Sequence, residues 1–350
     1  MENKTLSVNP PKRRSLPFRI IKSVLVGIAS ILLLLVIFGT WIYFSLIAGP
    51  GPMEMNEFHP FRSEKARVEY YAFEEQMTKS WPIHSEERIV ETSLGKTFMR
   101  ISGPEDGPTL ILLPGGGSNS LIWHANIKAL SEVSRTYALD NIYDYGRSIY
   151  TQELETGQDL AFWLDELSDS LHLGHDISMI GYSYGGWVVS QFALYHPERL
   201  KQVVLIAPAA TVLPLPKEYI VQMLKTMIPL RYYKKKIMYW VWKDLAEMGE
   251  WGQNLVEERI DYYQLALKSF KFKQPVNPTV LAEKEFAELS IPVLFLVGEN
   301  ETVYNAHEAV DRLNNVNPEI QTELISNTGH DLMFTHTDKI NSILLDFLRE

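Results

Sequence analysis

Short, β-rich and mostly apolar runs alternate with stretches of helical periodicity over much of the chain. The runs are Arg88–Ser93, Thr97–Ser102, Thr109–Leu113, Thr136–Leu139, Ile177–Gly181, Val203–Ala207, Pro292–Val297 and Thr322–Ile325. Several are apolar throughout, as expected of strands covered on both faces. Helical stretches begin near Leu121, Gln158, Tyr184, Asn305 and Thr337. This alternation predicts an α/β domain with a mostly parallel, eight-stranded sheet and right-handed crossovers. The first two runs lie too close for a crossover and predict an antiparallel hairpin around Gly95. Residues 53–85 are mixed, with Tyr70, Tyr71, Phe73 and Trp81, and predict a lead-in helix on the domain edge.

Between Pro208 and Ser290 the alternation stops. Helical periodicity takes over, with Tyr219, Tyr232, Tyr239, Trp240, Trp251 and Tyr262 among many aromatics, and with a basic cluster at Arg231, Lys234, Lys235 and Lys236. The stretch predicts a helical cap at about 209–288, inserted after the sixth strand. Ligands bind at the carboxyl edge of open α/β sheets, and the insertion leaves from that edge.

The N-terminus has a different pattern. No residue from Ser23 to Ala48 is charged, and Lys4, Lys12, Arg13, Arg14, Arg19 and Lys22 precede it. About 20 apolar residues suffice to cross a bilayer as a helix. The pattern predicts a basic cytoplasmic segment at 1–22, an uncleaved single-pass membrane anchor at 23–48, a linker and lead-in helix at 49–87, and the α/β domain at 88–350. Trp41, Tyr43 and Phe44 suit the membrane interface, and Gly49-Pro50-Gly51-Pro52 ends the helix. The basic flank predicts a cytoplasmic N-terminus with the large domain outside.

Composition narrows the functions. The 350 residues include 33 basic and 43 acidic side chains, a net charge of −10. Nucleic acid is not an expected partner, because that requires a basic field. With no cysteine, disulfides, thiolate metal sites and cysteine nucleophiles are excluded.

Gly181-Tyr182-Ser183-Tyr184-Gly185 reads G-x-S-x-G between an apolar strand and a helix. A serine on such a sharp turn projects its hydroxyl above the sheet, over the positive end of the following helix. It needs a base, and His330, on a loop after the last strand, is the best placed of nine histidines; His336 is its nearest rival. The base needs an orienting carboxylate. Glu301 stands just past the seventh strand, with Glu299, Asp144 and Asp159 as alternatives. The strand Leu110–Leu113 runs into Pro114-Gly115-Gly116-Gly117, a turn whose Gly116 N–H could join that of Tyr184 at one oxyanion. The glycines lack the Gly-Lys-Ser/Thr of a phosphate loop.

Residues from about 88 to 350 resemble the α/β-hydrolase fold family, in its cap-bearing serine esterase and lipase-like branch. The resemblance rests on Leu113–Gly117 with Trp123, on Ala138-Leu139-Asp140 leading to Tyr145–Ser148, and on Gly181–Gly186, Pro292–Glu301 and Gly329-His330. It implies Ser183 as nucleophile, Glu301 as acid, His330 as base and Gly116 with Tyr184 as oxyanion donors, with no metal or organic cofactor. Many members have His-Gly where this chain has Pro114-Gly115, and Asp where it has Glu301. The expected activity is acyl transfer to water from a small, uncharged or apolar ester. Alternatives are an amide or peptide hydrolase, for which Glu247, Glu250, Glu257 and Glu258 could bind an amine, and a non-catalytic binding domain.

Overall fold

The computed structural model describes residues 18–42, 60–273 and 275–349. Most of the 1–22 basic segment, Tyr43, Phe44, the Gly49–Pro52 stop and the start of the 49–87 linker lie outside the described residues. The chain divides into two units, Met1–Pro52 and Met53–Glu350.

The first unit contains α1 (Phe18–Ile42). Its side chains are described at 26–36, 38 and 39, and the large apolar ones among them are exposed. Among the described residues no helix is long and apolar enough to cross a membrane. The expected transmembrane span is therefore not supported by the described residues.

The second unit opens with α2 (Glu64–Thr78), then the hairpin β1 (Glu86–Thr92) and β2 (Gly95–Ser102). Next come β3 (Thr109–Leu113), α3 (Ile127–Ser131), β4 (Arg135–Leu139), β5 (Ile149–Tyr150), α4 (Gly157–Ser170), β6 (Ile177–Tyr182), α5 (Tyr184–Tyr195) and β7 (Leu200–Ile206). Five helices interrupt: α6 (Lys217–Thr226), α7 (Arg231–Val241), α8 (Lys243–Glu247), α9 (Glu250–Ser269) and α10 (Glu283–Ala287). The chain closes with β8 (Val293–Gly298), α11 (Ala306–Val316), β9 (Gln321–Ile325), α12 (Leu332–Thr335) and α13 (Thr337–Leu348).

The strands form a single sheet in the order β1-β2-β4-β3-β6-β7-β8-β9, with β5 beside β2. From β4 to β9 neighbours run parallel; β1, β2 and β5 supply the antiparallel edge. The sheet has nine strands rather than the expected eight. The extra strand is β5, where only Ile149 and Tyr150 pair with Lys96 and Gly95, too short a run to show a period.

Successive residues of one strand feed opposite cores. Ile111 and Leu113 pack with Trp163, Trp187 and Phe192 on one face, while Leu110 and Leu112 pack with Trp123, Ile340 and Leu344 on the other. Both faces are covered, which is why the strands read as unbroken apolar runs. Each such fully buried aliphatic side chain stabilises the fold by about 1.5–3 kcal/mol.

The lead-in helix packs on the inserted helices as well as on the sheet edge. Tyr70 and Tyr262 join α2 to α9 through a hydroxyl pair at 2.7 Å. Buried Glu74 of α2 accepts from Arg100 at 3.1 Å and from Arg147 at 2.9 Å, and exposed Glu87 bridges both arginines as well, so two carboxylates face two guanidiniums.

Candidate active site

The turn between β6 and α5 is built for close approach. Ser183 holds φ 52 and ψ −116, a conformation that costs a non-glycine residue about 1–3 kcal/mol. The surrounding contacts fix it: Ser183 N–H donates to Ile206 at 2.8 Å, and its carbonyl accepts from Gly186 and from Ala209, both at 3.0 Å. Glycine is required on both sides for lack of room. A Cβ at Gly181 would strike the Gly185 carbonyl, and one at Gly185 would strike the Leu113 carbonyl.

Three side chains from three strand ends meet here. Ser183 Oγ lies 2.9 Å from His330 Nε2, and His330 Nδ1 lies 2.9 Å from Glu301 Oε2. The Glu301 side chain is fully buried, and its other oxygen accepts from Val303 N–H at 2.8 Å, so its carboxylate is fixed from both ends. The loops carrying the acid and the imidazole are joined by Asn300 N–H to the Thr328 carbonyl at 2.8 Å. The Tyr182 hydroxyl donates to the His330 carbonyl at 2.9 Å. Glu301, one methylene longer than an aspartate, meets the imidazole at hydrogen-bond distance.

The other carboxylates and the rival histidine are occupied elsewhere. Asp159 completes a capping box at the start of α4. Glu299 is exposed. His336 Nδ1 sits 3.1 Å from Thr335 Oγ1. Asp144 is near the site but on its far wall, where its Oδ2 accepts from Gly117 N–H at 2.8 Å and its Oδ1 from Tyr145 N–H at 2.7 Å. That bond pins the glycine turn, in which Gly117 takes φ +70. As a result Gly116 is held against the elbow: a Cβ built on it would lie 3.3 Å from Tyr184 Cβ. Tyr184 opens α5, so its N–H has no acceptor within the helix.

The inserted helices roof this corner. A cavity of about 110 Å³ is bounded by Gly115–Gly117, Ser183 and His330 below and by Tyr219, Met223, Trp242, Arg259 and Tyr263 above. The insertion is fastened to the triad loops, because buried Asp331 accepts from Leu245 N–H at 2.7 Å and Asn300 Nδ2 stands 3.3 Å from both carboxylate oxygens of Asp244. Burial pushes the Asp331 carboxyl up to about 6.

The charged residues singled out in the insertion are largely paired among themselves. Arg231 and Lys235 both bridge Glu257, and Arg231 also bridges Asp261. Partial burial opposes ionisation of Glu257, yet hydrogen bonds from Lys235, Tyr239 and Arg231 bring its carboxyl down to about 2. Glu247 pairs with Lys243. Of the four acids that could bind an amine, Glu258 lines a cavity, and it shares that cavity with Arg259. Sequence reasoning missed Arg259 and the pinning role of Asp144; only Asp144's place just beyond β4 could have hinted at the latter.

The chain belongs to the α/β-hydrolase fold family: the model of that fold matches residues 108–227, and a relative covers most of the chain. That relative is carboxylesterase YbfK of Bacillus subtilis (strain 168), 33% identical over 291 residues, which are 82% of this chain and 96% of that protein. A second carboxylesterase of that organism, nap, is 30% identical over 293 residues, 80% of this chain and 92% of its own. Among solved structures, naproxen esterase (carboxylesterase NP) from Bacillus subtilis is similar with a TM-score of 0.75 at 29% identity, covering 82% of this chain and 99% of that one.

Proposed function

We propose that the protein is a serine hydrolase that cleaves small carboxylic esters through an acyl-enzyme. The observation that carries this reading is the unbroken relay of Ser183, His330 and Glu301, with both contacts at 2.9 Å. The two carboxylesterase relatives support the ester as the bond attacked. Ser183 Oγ adds to the ester carbonyl while His330 Nε2 takes its proton. Buried Glu301 stabilises the imidazolium and fixes its tautomer. The N–H groups of Gly116 and Tyr184 receive the oxyanion, each worth about 3–4 kcal/mol of barrier in comparable sites. His330 then gives its proton to the departing alcohol, and the same imidazole activates water for release of the acid.

The test is labelling with a fluorophosphonate alongside p-nitrophenyl ester hydrolysis. Wild type labels and turns over. Ser183→Ala does neither while keeping its circular dichroism, and a Ser183→Ala protein that still hydrolyses the ester refutes the reading.

The uncharged run Ser23–Ala48, preceded by six basic residues, supports a membrane tether with the hydrolase domain outside. Protease applied to intact cells should remove the domain; full protection refutes that orientation.

A further inference from the structure

Arg259, like Lys273, is a cation with a buried, unpartnered nitrogen that the proposed chemistry leaves unexplained, and of the two it is Arg259 that lines the cavity holding Ser183. It lies on α9, is 5% exposed, and forms no ion pair among the described residues. Its Nη1 has no hydrogen-bond partner, and Nη2 reaches only the Leu121 carbonyl at 3.4 Å. Glu258, the adjacent acid, is exposed and lines the same second cavity described below; its charge favours the ionised Arg259, but no hydrogen bond or ion pair joins the two. A buried cation with so little compensation is costly, and structural arginines in cores are ordinarily paired.

Its position gives the charge a use. Arg259 lines the cavity that holds Ser183 and His330, and it also lines a second cavity of about 260 Å³ with Trp81, Leu121, His124, Trp251 and the solvent-facing Glu258. It therefore forms part of the partition between the catalytic corner and a larger chamber. Trp81, which lines that chamber, carries another unsatisfied donor, its buried Nε1. The one histidine there is no competing cation, since burial, reinforced by the charge of Arg259, pulls His124 down to about 4 and leaves it neutral. Two orphaned donors, one of them a guanidinium, call for an acceptor that is negatively charged. A planar carboxylate fits the guanidinium fork through two parallel bonds.

We propose that Arg259 is a substrate-binding residue, and that the preferred esters carry a free carboxylate on the part that extends from Ser183 toward the second cavity. The substrate class is thus a monoester of a dicarboxylic acid, or an ester of a hydroxy acid, rather than the uncharged ester that the aromatic composition of the insertion suggests. The catalytic half of this inference rests on the ester-hydrolase reading; the carboxylate site does not.

The experiment keeps the two apart. Mono-p-nitrophenyl glutarate is compared with p-nitrophenyl butyrate, and 4-acetoxybenzoate with phenyl acetate, so that the charge sits on the acyl side in one pair and on the alcohol side in the other. Wild type should favour the acid member of one pair. Arg259→Gln should lower that acid-to-neutral ratio of kcat/KM by roughly 10- to 100-fold, mostly through KM, and Arg259→Lys should restore part of it. Separately, glutarate should raise the melting temperature of Ser183→Ala, and should lose that effect when Arg259→Gln is added. A wild type that favours the neutral member of both pairs overturns the proposal even if Arg259→Gln fails to fold, and so does an unchanged ratio in a folded variant. Ester turnover absent from every substrate, with glutarate binding intact, sinks the ester reading and leaves the carboxylate site standing.

Discussion

The floor and the roof of the catalytic corner are built on opposite terms. On the floor, supplied by strand ends, the relay and the group that pins its glycine turn are partnered throughout: Ser183 with His330, His330 with Glu301, Glu301 with Val303, Asp144 with Gly117, although the nearby Ser118 hydroxyl is not. On the roof, supplied by the insertion, aromatic and aliphatic side chains surround a guanidinium with an unpaired nitrogen. A saturated network cannot change partners, which suits a reaction that repeats the same proton path. An unsaturated one has binding capacity to give to whatever enters. The difference separates what is done to the bond from which molecule is chosen.

Breaking the floor should have the larger effects. Glu301→Gln keeps the shape but presents an amide to Nδ1, favouring the wrong tautomer, and kcat should fall by about 10³–10⁴. Glu301→Asp should fall less, because the carboxylate survives on a shorter stem; equal losses would mean that reach rather than charge is what matters. Asp144→Asn removes the charged acceptor behind the glycine turn. It should cost roughly 10- to 100-fold in kcat with KM little changed, seen in steady-state kinetics on a neutral ester, and a loss confined to KM would place Asp144 with the roof instead.

The remaining effect is on stability rather than on rate. Asp331 is raised from near 4 to about 6 by burial, so between those values the unfolded chain has released a proton that the folded one retains. Its contribution is therefore undiminished below about pH 4 and falls as pH rises toward 6, by at most about 3 kcal/mol. Asp331→Asn should flatten that part of a plot of urea midpoint against pH; an unaltered slope assigns it to other carboxylates.

The floor was legible in the sequence because each of its residues belongs to a local signal. Ser183 stands in a glycine frame that only a strand-to-helix turn requires, while Glu301 and His330 lie just past β8 and β9. Their meeting follows from the parallel order of the sheet. The extra strand was not legible, since two residues carry no period. Neither was Arg259: Glu257 and Glu258 before it drew the reading of acids that could bind an amine, and its burial is decided by the packing of α9 over Leu121, far off in the chain. The basic cluster around Arg231 was readable as charge, but its partners Glu257 and Asp261 lie on another helix.

The tie between Leu245 and Asp331, with Asp244 beside Asn300, means that α8 and the loops of the acid and the imidazole form one mechanical piece. Lifting that corner to let a molecule in would pull the relay apart at the moment it is wanted. By contrast α6, which turns Ile220, Val221 and Leu224 outward, is tied through the Thr226 hydroxyl to Tyr263 of α9 at 3.3 Å and not to those loops. A substitution on α6 therefore reaches the relay only indirectly, whereas one on α8 acts on it at once.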